Sequence, residues 1–118
     1  SNGAEQIAVA ARDAGMEVVY SGIRLTPDQI AASARDEDPD VIGLSILSGS
    51  HMDLVPAVVS AVRAAGSDAA IVVGGIIPEE DRGPLVAAGV SAVYTPKDFE
   101  LARIMGDIAD LTETHRHQ

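Results

Sequence analysis

Cysteine is absent from this 118-residue chain, and with it go disulfides, thiolate metal sites and a cysteine nucleophile. Basic side chains are scarce too: eight Lys and Arg stand against 18 Asp and Glu, a formal net charge of -10. Binding to nucleic acid or to an anionic membrane needs cations, so neither partner is expected. No apolar run reaches the roughly 20 residues of a bilayer-spanning helix, and no signal-peptide pattern opens the sequence. These absences leave a cytoplasmic globular domain as the expectation. What is abundant agrees with it: 47% of the residues are hydrophobic and only 3% aromatic. The core must then be built from Ala, Val, Ile and Leu, a composition suited to helices packed on a sheet, and the length allows one such core.

The chain is organised around Val41–His51, where the apolar run Val-Ile-Gly-Leu-Ser-Ile-Leu breaks into Ser-Gly-Ser-His. An apolar run of that length bounded by turn formers reads as a strand buried on both faces. In an open parallel α/β sheet, ligands meet the carboxyl ends of the strands, so Ser45 to His51 is the expected mouth of a site. A second strand, Ala70-Ile-Val-Val, ends the same way in Gly74-Gly75, which carry no Cβ atoms where something bulky must come close.

Elsewhere helix and strand alternate. Ala4–Ala14 carries Ile7, Ala8, Ala11 and Ala14 on one helical face and stops at Gly15. Glu17–Tyr20 reads as a strand. Thr26-Pro-Asp-Gln29 has a capping-box arrangement with proline at the first helical position, opening a helix that reaches Asp36. Met52–Ala65 repeats Leu54, Val55, Val58, Val59 and Val62 at helical spacing. Pro78-Glu-Glu-Asp81 is acidic in the manner of a helix N-terminus, with Leu85, Val86 and Ala88 as the apolar side of that helix. Val90–Tyr94 makes a short strand and Phe99–Leu111 a final amphipathic helix. The domain proper therefore spans 1–111, and 112–118 reads as a flexible polar tail.

A helix followed by four rounds of strand and helix demands a parallel sheet with helices on both faces. The expected fold is α/β, a flavodoxin-like (Rossmann-like) doubly wound parallel sheet in three layers. In the strand order 2-1-3-4-5 of that fold, the strand that should precede the first helix is an interior one. Without it, buried backbone donors and acceptors would go unpaired at about 1–3 kcal/mol each. A first strand is therefore expected ahead of Ser1, outside this sequence.

Ser45-Ile46-Leu47 followed by Gly74-Gly75 resembles the second and third parts of the cobalamin-binding signature D-x-H-x-x-G, S-x-L, G-G. Gly3 matches the last glycine of the first part, which places the cobalt-ligating His immediately before Ser1. The flanks agree: Gly22-Ile-Arg-Leu-Thr-Pro, Leu44-Ser-Ile-Leu-Ser-Gly-Ser-His-Met, Val73-Gly-Gly-Ile-Ile-Pro and Tyr94-Thr-Pro-Lys-Asp-Phe resemble the cobalamin domain of ethylmalonyl-CoA mutases, within the methylmalonyl-CoA mutase family. The resemblance extends to Leu111. It implies a module that binds adenosylcobalamin with the dimethylbenzimidazole tail detached from cobalt and inserted between sheet and helix. It assigns Ser45 to a tail nitrogen and Leu47 to the side of the tail; Gly49, Gly74 and Gly75 become pocket backbone, with Ile7 and Tyr94 as apolar contacts. It further implies a radical carbon-skeleton rearrangement, a separate acyl-CoA-binding barrel domain in the same parent enzyme, and a homodimeric parent. This chain alone is not expected to turn over acyl-CoA. Where the family has Pro-Gly-Thr after the last strand, this chain has Pro96-Lys97-Asp98, so Asp98 cannot inherit the role of the threonine.

Simpler readings exist for most of these residues. Ser45 can satisfy a backbone group or cap the next helix, and Gly74-Gly75 can be a tight turn. His51 reads as a capping or solvent-facing residue, His115 and His117 as part of the solvated tail, and Asp36–Asp40 as a solvated turn. Glu79, Glu80 and Asp81 suit a helix dipole. No residue is assigned as catalytic or as a metal ligand. A phosphoryl-receiver domain needs an aspartate where this chain has Ser45 and Leu47, and a nicotinamide-binding domain needs G-x-G-x-x-G after its first strand. The remaining alternatives are a methylmalonyl-CoA mutase domain and a stand-alone cobalamin carrier or regulatory module.

Overall fold

Three strands, β1 (Val41–Ile46), β2 (Ala70–Gly75) and β3 (Ala92–Tyr94), form one parallel sheet in the order β1-β2-β3. The structure, a computed structural model, describes residues 3–13, 26–46, 51–95 and 100–117. The strand expected at Glu17–Tyr20 lies outside the described residues. Helices α1 (Gly3–Asp13), α2 (Pro27–Glu37), α3 (His51–Ala64), α4 (Arg82–Ala87) and α5 (Leu101–Arg116) surround the sheet, with a 3-10 turn at Glu79–Asp81 before α4.

Local chemistry accounts for several boundaries. The capping box forms as its residues predict: the Gln29 amide donates to Thr26 Oγ1 at 3.2 Å, and the Thr26 amide donates to Gln29 Oε1 at 2.8 Å. Pro27 takes the first helical position, where a missing N–H costs nothing. Strand β2 runs beyond its apolar stretch to take in both glycines, because β1 goes on pairing with them: Ser45 opposes Gly74 and Ile46 opposes Gly75. Gly75 has φ 132°, and a Cβ there would overlap the Ile46 carbonyl oxygen, so only glycine fits.

Alternation along the strands divides the interior into two cores. Ile71 and Val73 of β2 point to the larger, with Ala31 and Ala34 of α2, Val55, Val58, Val59 and Val62 of α3, and Leu85 of α4. Val72 points the other way, to a smaller core with Tyr94 and Ile104, against which Ile7 of α1 and Ile108 and Leu111 of α5 pack. Helices α2, α3 and α4 thus cover one face and α1 and α5 the other, giving the three-layer parallel α/β arrangement that the strand–helix alternation implies. No helix of the described residues is long and apolar enough to cross a membrane.

The end of the chain departs from expectation. Helix α5 does not stop at Leu111 but continues to Arg116, and it is tied down there. His115 Nδ1 lies 2.7 Å from Asp40 Oδ1 and Nε2 lies 2.5 Å from Asp68 Oδ1, while Arg116 Nε donates to Asp40 Oδ2 at 2.8 Å. Asp40 precedes β1 and Asp68 precedes β2, so the helix end is latched to both strand entries. With a carboxylate on each ring nitrogen, His115 is best served as an imidazolium donating twice. Its bonds to Asp40 and then Asp68 hold its pKa above the ordinary histidine value. The bond to His115 is the chief cause holding both Asp40 and Asp68 below the usual carboxylate value. His115 therefore belongs to a latch, not to a solvated tail, and Asp40 is a partner in it, not part of a solvated turn; His117 is exposed.

Candidate functional site

The register places three of the sequence-predicted residues in a row. Ser45 of β1 is paired with Gly74 of β2, and Gly74 with Tyr94 of β3. Side-chain alternation directs all three to the face covered by α1 and α5, at the carboxyl end of the sheet, where an open α/β fold meets its ligands. One pleat back on β1 comes Gly43, also exposed, whose missing Cβ would meet only Val72 Cγ2, at 3.8 Å. A Cβ on Gly74 would touch Tyr94 O at 3.6 Å and Tyr94 Cβ at 3.8 Å. The result is a bare strip of backbone across β1 and β2, with a hydroxyl at one end and an aromatic ring at the other. Ser45 is exposed, and among the described residues nothing is hydrogen-bonded to its side chain. Its hydroxyl can both donate and accept.

The ring at the other end is held firmly. Tyr94 is 8% exposed and packs with Val72 and Ile104, with Ile7 against the same cluster. Its hydroxyl donates to Asp107 Oδ2 of α5 at 2.7 Å. Burial, then the adjacent Asp107 carboxylate, pushes the phenol pKa far above its ordinary value, so Tyr94 remains a neutral donor. Sequence reading missed Asp107. Its signal was positional: it falls among Ile104, Ile108 and Leu111 on the apolar stripe of α5, where a carboxylate needs a reason.

The other expected residues distribute as follows. Gly3 opens α1, and Ile7 reaches the small core beside Tyr94. Leu47 and Gly49 lie outside the described residues. Gly75 points away from the strip, toward the larger core, and its bare backbone serves the approach of Ile46. His51 begins α3. An open depression of about 270 Å³, lined by Ser91, Ala92, Asp107, Asp110, Leu111 and Thr114, borders Asp107 but includes neither Ser45 nor Gly74. The row of Ser45, Gly74 and Tyr94 is the better site, because it combines an aromatic ring with a polar group that has no hydrogen-bond partner among the described residues. Chemically it can hold a flat heteroaromatic ring face-on to the strip and hydrogen-bond one ring nitrogen.

Comparison with known proteins points the same way. The family model of the B12 binding domain matches residues 1–98. Ethylmalonyl-CoA mutase of Cereibacter sphaeroides is 64% identical over 113 residues, 96% of this chain and 17% of the relative. The ethylmalonyl-CoA mutase of Methylorubrum extorquens is 55% identical over 114 residues, again 96% of this chain and 17% of the relative. The pivalyl-CoA mutase small subunit of Xanthobacter autotrophicus is 45% identical over 95 residues, 80% of this chain and 64% of that subunit. The chain thus spans about a sixth of the length of the two ethylmalonyl-CoA mutases it resembles.

Proposed function

The chain belongs to the B12-binding domain family, and from that premise we propose that it binds adenosylcobalamin with the dimethylbenzimidazole tail lying over the strip of Ser45, Gly74 and Tyr94. The cofactor class, a cobalamin, follows from the family; the adenosyl form and the pose are our reading. The observation that carries it is the exposed Ser45 hydroxyl, without a hydrogen-bond partner among the described residues, at the edge of a backbone strip without side chains. These residues fit the group. A planar bicyclic base needs a flat bed, which Gly43 and Gly74 supply, and its ring nitrogen needs a donor, which Ser45 supplies. The buried ring of Tyr94 closes the end, and Ile7 adds apolar surface from α1. Leu47 and Gly49 complete the proposed pocket, with Gly3 at the start of α1, while Gly75 faces the larger core and serves the pairing of β1 with β2.

The proposed setting is a radical acyl-CoA mutase that converts ethylmalonyl-CoA to methylsuccinyl-CoA in the cytoplasm, as a homodimer whose acyl-CoA site lies in a separate barrel domain. When bound, the cofactor supplies a carbon-centred radical from its weak cobalt–carbon bond. The residues of this chain would bind and orient it through the tail, with Ser45 at a ring nitrogen and Gly43, Gly74 and Tyr94 around the ring. A second reading rests on one observation: the pivalyl-CoA mutase relative is named a small subunit, which would put this domain and the barrel on separate chains.

Titrating the intact protein with cobalamin, while following the absorbance change that marks tail displacement, tests the pocket. Ser45→Val should weaken binding by about 1–3 kcal/mol, or about 5–150-fold, because a tail nitrogen loses its donor. Unchanged affinity would show that Ser45 is not that donor. Turnover of ethylmalonyl-CoA against methylmalonyl-CoA by the same protein decides the substrate.

A further inference from the structure

Helix α5 is fixed to the body of the protein at two levels. At its foot the latch of His115 and Arg116 grips Asp40 and Asp68. Eight residues earlier, roughly 12 Å along the helix, Asp107 accepts the hydroxyl of Tyr94 at 2.7 Å. The second tie reaches the floor of the candidate site, since Tyr94 is the register partner of Gly74 and Gly74 of Ser45. Adjacent strands lie about 4.8 Å apart, so Ser45 and Tyr94 stand about 10 Å apart, with only a glycine between them on that face. The placement of Tyr94 therefore sets where the strip ends. Its Cβ lies 3.8 Å from the position a Gly74 Cβ would take.

A buried tyrosine hydroxyl usually has a hydrogen-bond partner, and that bond fixes the polar end of the ring, which apolar packing alone does not. Asp107 is the partner among the described residues, and it comes from a helix on the same face of the sheet as the strip. Apolar packing against Ile104 and Val72 would hold the ring in place but would leave its polar end unanchored.

We propose that Asp107 is a positioning residue for the bound cofactor: by holding the Tyr94 hydroxyl it fixes that ring as the end wall of the tail slot and fixes the distance of α5 from the sheet. The inference rests on the tail-binding reading above and assigns Asp107 no contact with cobalamin. It acts through Tyr94 and through the lean of its own helix.

The test uses the intact protein with Asp107→Ala, Asp107→Asn, Tyr94→Phe and the double variant Tyr94→Phe/Asp107→Ala. Cobalamin affinity and the spectrum of the bound cofactor are measured, with thermal unfolding of the cofactor-free protein alongside. Asp107→Ala should weaken affinity about tenfold, with the spectrum moved toward the tail-attached form. Asp107→Asn keeps an acceptor oxygen and should stay within about threefold of wild type. Tyr94→Phe should match Asp107→Ala, and the double variant should be no worse than either single one, since both remove the same bond. Wild-type affinity and spectrum in Asp107→Ala would overturn the proposal whatever happened to the unfolding temperature. So would a full loss in Asp107→Asn, which remains informative even if Asp107→Ala does not fold. Weakened binding in Ser45→Val with none in the Asp107 variants would sink this inference and leave the pocket standing. Failure of the wild-type protein to bind cobalamin with its tail displaced would remove the pocket itself.

Discussion

Raising the pH should release the end of α5. The imidazolium of His115 donates to Asp40 and Asp68 at once, and a neutral imidazole has only one N–H, so deprotonation leaves one of the two carboxylates facing a lone pair. Because the folded pKa of His115 lies above its unfolded value, this stabilisation is fully present below about pH 6.5 and is lost as the pH climbs through the raised value. Asp40 and Asp68 have depressed values, so their share holds above the ordinary carboxylate pKa and disappears only as the pH falls below it. The latch is therefore complete between about pH 4 and pH 6.5. Charged groups close by are Arg116 on α5 and Arg63 on α3, beside Asp68. Exposure sets the magnitude. The His115 and Asp40 side chains are 15% and 21% exposed, whereas Asp68 is 71% exposed and its bond is largely screened. A charge-assisted bond of the first kind contributes roughly 1–2 kcal/mol. Asp40 keeps Arg116 when the imidazolium is gone, which puts the loss near the lower end, about 1 kcal/mol or about fivefold in the opening equilibrium. Amide hydrogen exchange over residues 108–117, corrected for the intrinsic pH dependence of exchange, reads this directly. Protection should fall about fivefold between pH 5.5 and a pH above the raised value, and His115→Gln should show the low protection at both. Wild-type protection that does not change with pH, or a His115→Gln variant that tracks the wild type, would refute the reasoning.

Two further substitutions test the frame around the site. Gly75→Ala introduces a Cβ against the Ile46 carbonyl at a φ of 132°, and chemical denaturation should show a loss of about 1–3 kcal/mol. Leu85→Ala removes a fully buried side chain of α4 from the larger core and should cost about 2–5 kcal/mol in the same assay, with cobalamin binding to the folded protein retained because α4 lies on the opposite face of the sheet from the strip.

The readability of each element from sequence followed the range of the interactions that define it. The Thr26–Gln29 box, the valine stripe of α3 and the run at Val41–Ile46 are short-range signals, and each appears where its residues put it. Ser45, Gly74 and Tyr94 were legible as separate strand-end residues. What no local pattern could show was that register would align them across three strands, because alignment depends on how the strands pair. The end of α5 was misjudged for a related reason. Thr112–His117 is polar, and polarity at a terminus normally means solvent; here the partners stand 75 and 47 residues away in sequence. Asp107 could have been suspected, since a carboxylate on an apolar stripe implies a buried donor opposite, but the identity of that donor required the fold.

Among the described residues the two cores are unequal. Among the described residues thirteen buried side chains seal the face under α2, α3 and α4, whereas three form the core under α1 and α5. Local opening will favour the thinner side, so α1 and α5 should be the first segments a protease can reach. On the proposed reading the cofactor tail enters that same side and adds apolar contact where the chain supplies little. Occupancy at 100 times the dissociation constant would contribute about 2.7 kcal/mol. Cobalamin would then add to the hydrophobic interior on that side, and its binding would slow local opening of α1 and α5.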